Sequence, residues 1–139
     1  MRRCHVLVVE DDPELGELVI EALGMELDCE LRLIADGSEA RRWLAGDQCR
    51  ANVPGMVILD IHLPGVSGLE LLDDIRADRV FDDTRIVMTT ADSMLLERAR
   101  GKADWLLLKP VGYSHFAEIS RWFKARQAAG KSDNPAVRL

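Results

Sequence analysis

Four short apolar runs in this chain each stop at a polar or charged residue, and that pattern restricts the fold more than any other feature. His5-Val6-Leu7-Val8-Val9 ends at Glu10-Asp11-Asp12, Met56-Val57-Ile58-Leu59 at Asp60, Arg85 to Thr89 at Thr90, and Trp105 to Leu108 at Lys109. Continuous apolar runs of this length suit strands buried on both faces. Cys29 to Ile34 reads as a further strand, so five are expected.

The intervening segments carry helical periodicity. Pro13 supplies a first helical residue, and Leu15, Leu18, Val19, Ala22 and Leu23 recur at helical spacing through Met25. Asp36-Gly37-Ser38 resembles a turn and cap before a helix with Ala40, Trp43 and Leu44 inward, and Gly46 to Pro54 reads as a polar connection. Leu63-Pro64-Gly65 punctuates a loop, after which a helix from about Ser67 to Ala77 presents Leu69, Leu72 and Ile75. A shorter helix is expected over roughly 92–100, and a closing one from Ser114 to Arg126 with Phe116, Ile119 and Phe123 on one side. Five alternating β/α units imply a parallel sheet covered by helices on both faces.

The 139 residues suit one domain, here 1–126, followed by a tail over 127–139 rich in Ala, Gly, Ser, Asn and Pro that reads as a flexible end or a truncated linker. Eighteen basic against 24 acidic residues give a formal charge of −6 without a basic cluster, so no direct contact with nucleic acid is expected. No apolar run approaches a membrane span, and a cytoplasmic location is expected. Cys4, Cys29 and Cys49 follow no metal or CxxC spacing and are expected to be reduced thiols.

In open parallel sheets ligands gather at the carboxyl ends of the strands. Those ends here carry Glu10, Asp11, Asp60, Thr90 and Lys109. Carboxylates at ~4 Å repel by several kcal/mol at an effective dielectric near 20, and a divalent cation would relieve that repulsion. An all-oxygen, water-rich site points to Mg²⁺. A carboxylate can attack phosphorus when a metal and a fixed cation screen the incoming charge, which makes Asp60 the nucleophile and Lys109 the cation. The Thr90 hydroxyl and the Ala91 amide are candidate donors to phosphoryl oxygens.

Together, Val8-Val9-Glu10-Asp11-Asp12-Pro13, Leu59-Asp60-Ile61-His62-Leu63-Pro64-Gly65, Thr90-Ala91 and Lys109-Pro110 resemble the receiver domains of response regulators over about residues 4–126. The resemblance implies a flavodoxin-like doubly wound (βα)5 fold with strand order 2-1-3-4-5. It also implies that Asp11 binds Mg²⁺ directly, Glu10 mainly through water and His62 through its carbonyl, and that Asp60 accepts a phosphoryl group from a phosphohistidine. The domain would then catalyse its own phosphorylation and dephosphorylation without being a conventional enzyme. Its expected partners are a sensor histidine kinase or histidine phosphotransfer protein, a downstream protein target and a second copy in a homodimer.

Plainer readings compete at single positions. Glu10-Asp11-Asp12 also reads as a solvated turn in which Asp12 caps the next helix. The His62 side chain reads equally as a loop residue or as a group that tunes phosphoryl lifetime. Trp43, Trp105 and Trp122 suit packing better than a ligand site.

Two features depart from the receiver pattern. Three residues before Lys109, where receivers carry Tyr or Phe, stands Leu106, and period-two alternation keeps neighbouring Trp105 from substituting. From Thr90 to Lys109 the chain spends 109 − 90 = 19 positions, about one helical turn fewer than receivers typically use, so the fourth helix should be short or irregular. Ordinary phosphorylation with atypical output is the leading expectation. A non-cycling pseudo-receiver acting as an interaction module and a small phosphatase using Asp60 are the alternatives.

Overall fold

The computed structural model describes residues 3–129. Five strands form one parallel sheet in the order β2-β1-β3-β4-β5: β1 (Cys4–Val9), β2 (Cys29–Ile34), β3 (Met56–Asp60), β4 (Arg85–Thr90) and β5 (Trp105–Leu108). This is the expected flavodoxin-like order, and its reversal between β1 and β3 brings the ends of those two strands side by side.

Strand alternation divides the core. Val6, Val8, Met56, Ile58, Val87, Trp105 and Leu107 face helices α1 (Pro13–Glu26) and α6 (Tyr113–Ala129). Leu7, Val9, Val57, Leu59, Ile86, Met88 and Leu106 face the other layer, formed by α2 (Gly37–Ala45), α3 (Asp47–Ala51), α4 (Gly68–Ala77) and α5 (Ser93–Glu97). Both faces of every inner strand are covered, which is why these strands are apolar throughout.

Helix starts follow side-chain caps. Asp12 accepts from the Glu14 and Leu15 amides with Pro13 as first helical residue, Asp36 accepts from Glu39, and Asp92 accepts from Met94 and Leu95. Ser67 and Glu70 form a reciprocal capping box on α4.

Four expectations need correction. The 46–54 connection contains the one-turn α3, which a polar composition conceals because a single apolar side chain, Cys49, is buried beneath it. Six α-helices are therefore present among the described residues, and the expected fourth helix is α5. On α4, Leu72 and Ile75 are buried as expected and Leu69 packs half-buried against the same core, but Leu71, which the expectation left out, is fully buried as well. The last helix continues through Ala129, three residues into the expected tail; the remainder of that tail lies outside the described residues.

The fourth correction concerns the cysteines: Cys4 and Cys29 are joined by a disulfide, and only Cys49 is free. Their separation of 25 residues hides the fact that the parallel register makes them direct partners, with Cα atoms 4.7 Å apart.

Candidate functional site

Two close approaches of backbone to backbone build the ground under Asp60. Leaving β3, the chain turns at Ile61, whose amide donates to the Thr89 carbonyl and whose carbonyl accepts from Gly68. A Cβ on Gly68 would lie 2.0 Å from the Asp60 carbonyl oxygen, so α4 starts hard against the strand end only because glycine stands there. The loop in between leans on α2, where the Gly37 amide donates to the Pro64 carbonyl.

Glu10, Asp11, Asp60 and Lys109 converge on that ground. One carboxylate oxygen from each of the three acids falls within a 4.8 Å cluster. Lys109 Nζ stands 3.2 Å from both Glu10 Oε1 and Asp60 Oδ2. Glu10 and Asp60 are buried, Asp11 is exposed, and the second Glu10 oxygen accepts from the Asp12 amide at 3.1 Å. The Lys109 backbone amide donates to the Thr90 carbonyl, which joins the end of β5 to the end of β4.

Three carboxylates against one ammonium leave a formal surplus of two negative charges. Burial, reinforced by the Asp60 charge, pushes the Glu10 carboxyl up to about 7, against the Asp12 amide and Lys109, which act the other way. Burial pulls Lys109 down, but Asp60 and Glu10 outweigh it and hold the ammonium above its usual value. Burial first, and the neighbouring Asp60 charge second, thus disfavour the ionised form of Glu10. An all-oxygen donor set with surplus negative charge, two of its carboxylates buried and Asp11 open to solvent, fits a hard divalent cation.

Thr90 is fully buried and its hydroxyl oxygen accepts from the Asp92 amide at 3.2 Å. Ala91 and His62 lie on the exposed loops that follow β4 and β3. The sequence expectation overlooked Asp92, which holds the Thr90 hydroxyl, and Gly68. A Ser-x-x-Glu capping pattern at Ser67–Glu70 was the available sign of a helix start so close to Asp60.

Leu106 is buried among the α2–α5 layer, while Trp105 faces the α1/α6 layer and meets Trp122 edge to face at 5.8 Å. Trp105 therefore does not replace a switch aromatic, as alternation required. The short α5 has five residues, followed by turns through Lys102.

A family profile described as response regulator receiver domain matches residues 6–120. Response regulator Rre1 of Synechocystis sp. is 33% identical over 127 residues, covering 89% of this chain and 53% of that protein. The phosphate regulon transcriptional regulatory protein PhoB of Rhizobium meliloti is 38% identical over 111 residues, covering 76% of this chain and 45% of its own. Among solved structures, the bacteriophytochrome response regulator RtBRR superposes with a TM-score of 0.75 at 28% identity, covering 96% of this chain and 85% of that one. The chain spans about half the length of the curated relatives it matches.

Proposed function

This chain belongs to the response regulator receiver family of two-component systems, and from that premise we propose that it is a phosphoryl-accepting switch with Asp60 as acceptor. The observation that carries the reading is the Lys109 ammonium 3.2 Å from both Asp60 and Glu10, at a strand end where three carboxylates meet.

An Asp60 carboxylate oxygen attacks phosphorus of a phosphohistidine on a sensor kinase or histidine phosphotransfer protein. The phosphorus–oxygen bond forms, the phosphorus–nitrogen bond breaks, and the imidazole leaves with the electron pair and takes up a proton. Glu10, Asp11, Asp60 and the His62 carbonyl would hold Mg²⁺, which when bound supplies the positive charge that the cluster lacks. Lys109 shifts from the free carboxylate toward a phosphoryl oxygen. The Ala91 amide donates to a second oxygen, and the Thr90 hydroxyl leaves the Asp92 amide to donate to a third.

Rotation of Thr90 meets Leu106 where other receivers carry an aromatic ring, so the readout is carried by protein contacts of an atypical kind. The downstream protein target is recognised through them, and a homodimer is one such contact. Neither direct nucleic-acid binding nor membrane insertion is part of this reading for the described region, and no described helix is long and apolar enough to cross a membrane. A cytoplasmic setting follows from partnership with kinase phosphohistidine. Leu106 and the short α5 also favour a second reading, a pseudo-receiver that presents the same fold as a fixed interaction module.

Incubation with Mg²⁺ and acetyl phosphate, followed by intact-mass measurement, separates the two. Stoichiometric addition of one phosphoryl group, lost in Asp60→Asn and in EDTA, is expected. Lys109→Ala should retain some labelling while losing the accompanying change in amide chemical shifts. Absence of the adduct on wild type, under conditions that modify another receiver, would establish the pseudo-receiver reading.

A further inference from the structure

The β1–β2 ladder runs between two places of chemical consequence. At its amino end the register sets Cys4 directly against Cys29, with Cα atoms 4.7 Å apart and the sulfurs joined. At its carboxyl end the Glu10 amide donates to the Ile34 carbonyl at 3.1 Å, so the same pairing holds the backbone of an acid in the candidate metal cluster. β2 is the edge of the sheet and pairs with β1 alone among the described strands.

The two sulfurs differ in access. Cys29 is buried, whereas Cys4 is half-buried and lines a cavity of about 470 Å³ at the amino ends of the strands. A thiol reagent arriving from solvent therefore meets Cys4 first. The third cysteine stands apart: Cys49 is fully buried beneath α3, and burial pushes its thiol up to about 11. It is an unreactive internal reference.

The fold has little need of a permanent staple. Two layers of buried apolar side chains close on the faces of the sheet, and cross-links are a necessity mainly of small secreted domains that lack such a core. Reversibility rests on the kinase-linked, cytoplasmic setting proposed above: thiols are kept reduced there, and a disulfide formed in that compartment is transient.

We propose that Cys4 and Cys29 form a reversible redox site, closed by the disulfide of a small thiol and opened by a dithiol, whose closure tightens the ladder that carries Glu10. Cys4 as thiolate attacks one sulfur of the small disulfide. A bond from Cys4 to that sulfur forms, the old sulfur–sulfur bond breaks, and the electron pair leaves on the second small thiolate, which takes up the proton that Cys4 gave up. Cys29 then attacks the Cys4 sulfur, the Cys4–Cys29 bond forms, and the first small thiol leaves as thiolate and takes the Cys29 proton. Two protein thiols are oxidised and one small disulfide is reduced to two thiols; a dithiol runs the sequence in reverse.

The test equilibrates the full chain, without phosphodonor, in glutathione buffers running from mostly reduced to mostly oxidised, followed by acid quench, denaturation and alkylation. Intact mass counts the modified thiols. A passage from three alkylated cysteines to Cys49 alone along the series, reversed by dithiothreitol, is expected. Hydrogen exchange compares the two end states: the Glu10 amide should exchange roughly tenfold more slowly in the closed form, while the Lys109 amide, bonded to Thr90 across the β4–β5 pairing, changes far less. Cys29→Ser should collect one glutathione on Cys4 and Cys4→Ser none on Cys29, with circular dichroism confirming that both variants fold. A pair still closed at the reducing end is a permanent staple, and one still open at the oxidising end is no site. Either result, equal Glu10 exchange in the two forms, or glutathione on Cys29 in Cys4→Ser would overturn the proposal. Asp60 labelling enters none of these readouts, so failure of the phosphoryl chemistry and failure of the redox site are told apart.

Discussion

At the ends of β1, β3 and β5, Glu10, Asp60 and Lys109 meet, with the lysine 3.2 Å from each acid. One strand pairing away, between Thr90 and Lys109, the same chain has a five-residue α5, a leucine in the aromatic position and two exposed apolar side chains, Met94 and Leu108. The two regions share β4 and β5, so their contrast is not one of distance. The clustered acids and lysine are held by strand ends and backbone hydrogen bonds. The β4–β5 crossover is a surface layer whose helix can shorten as long as Leu96, Ala99 and Leu106 still close the core beneath it.

The largest effect that would test this contrast is on the backbone under Asp60. Gly68→Ala would drive a Cβ to 2.0 Å from the Asp60 carbonyl, and should cost roughly 2–4 kcal/mol in chemical denaturation and sharply reduce labelling. A variant of wild-type stability and labelling would show that the acceptor loop is not rigidly held.

The charge surplus offers a second test. Glu10 in the folded chain holds its proton to about 7 against 4.5 for an unperturbed carboxyl, so between those values the native state binds more protons than the unfolded one. Stability in EDTA should therefore fall as pH rises through that window and level off above it. Mg²⁺ should flatten the decline by favouring ionised Glu10, and Glu10→Gln should remove it. Urea melts from pH 4.5 to 8 check the sign, and a rise in metal-free stability across that range would contradict the charge assignment.

Leu106→Phe addresses the other region. Restoring a ring at a buried, packed position should cost about 1–3 kcal/mol while leaving Asp60 labelling intact, since the β5 end and its Lys109 are unchanged. A neutral or stabilising result would mean that room for an aromatic switch persists. Smallest of all, Met94→Ser on the exposed start of α5 should alter stability by no more than about 0.5 kcal/mol. Changed phosphorylation kinetics in that variant would tie the crossover to the chemistry and erase the distinction.

The strands, their buried faces and the acids and lysine that end them were legible because each is a local pattern: an apolar run, a period of two, a polar stop. Phe116, Ile119 and Phe123 were legible for the same reason, as a helical stripe. The one-turn α3 was not, because five residues are too few to display a period.

What the sequence by itself determined about this chain is therefore the alternation of strands and helices and the candidates for chemistry at the strand ends. Tertiary structure alone decided which groups meet. Lys109 reaches Glu10 across 99 residues, Cys4 bonds Cys29 because a parallel register pairs them, and Gly68 lies against Asp60 because α4 begins there. Arg85 and Arg126 come to share one indole only when β4 and α6 pack together. The physical reason is that periodicity records how a segment faces its surroundings, whereas encounters between distant side chains depend on register and on how closely two backbones can approach.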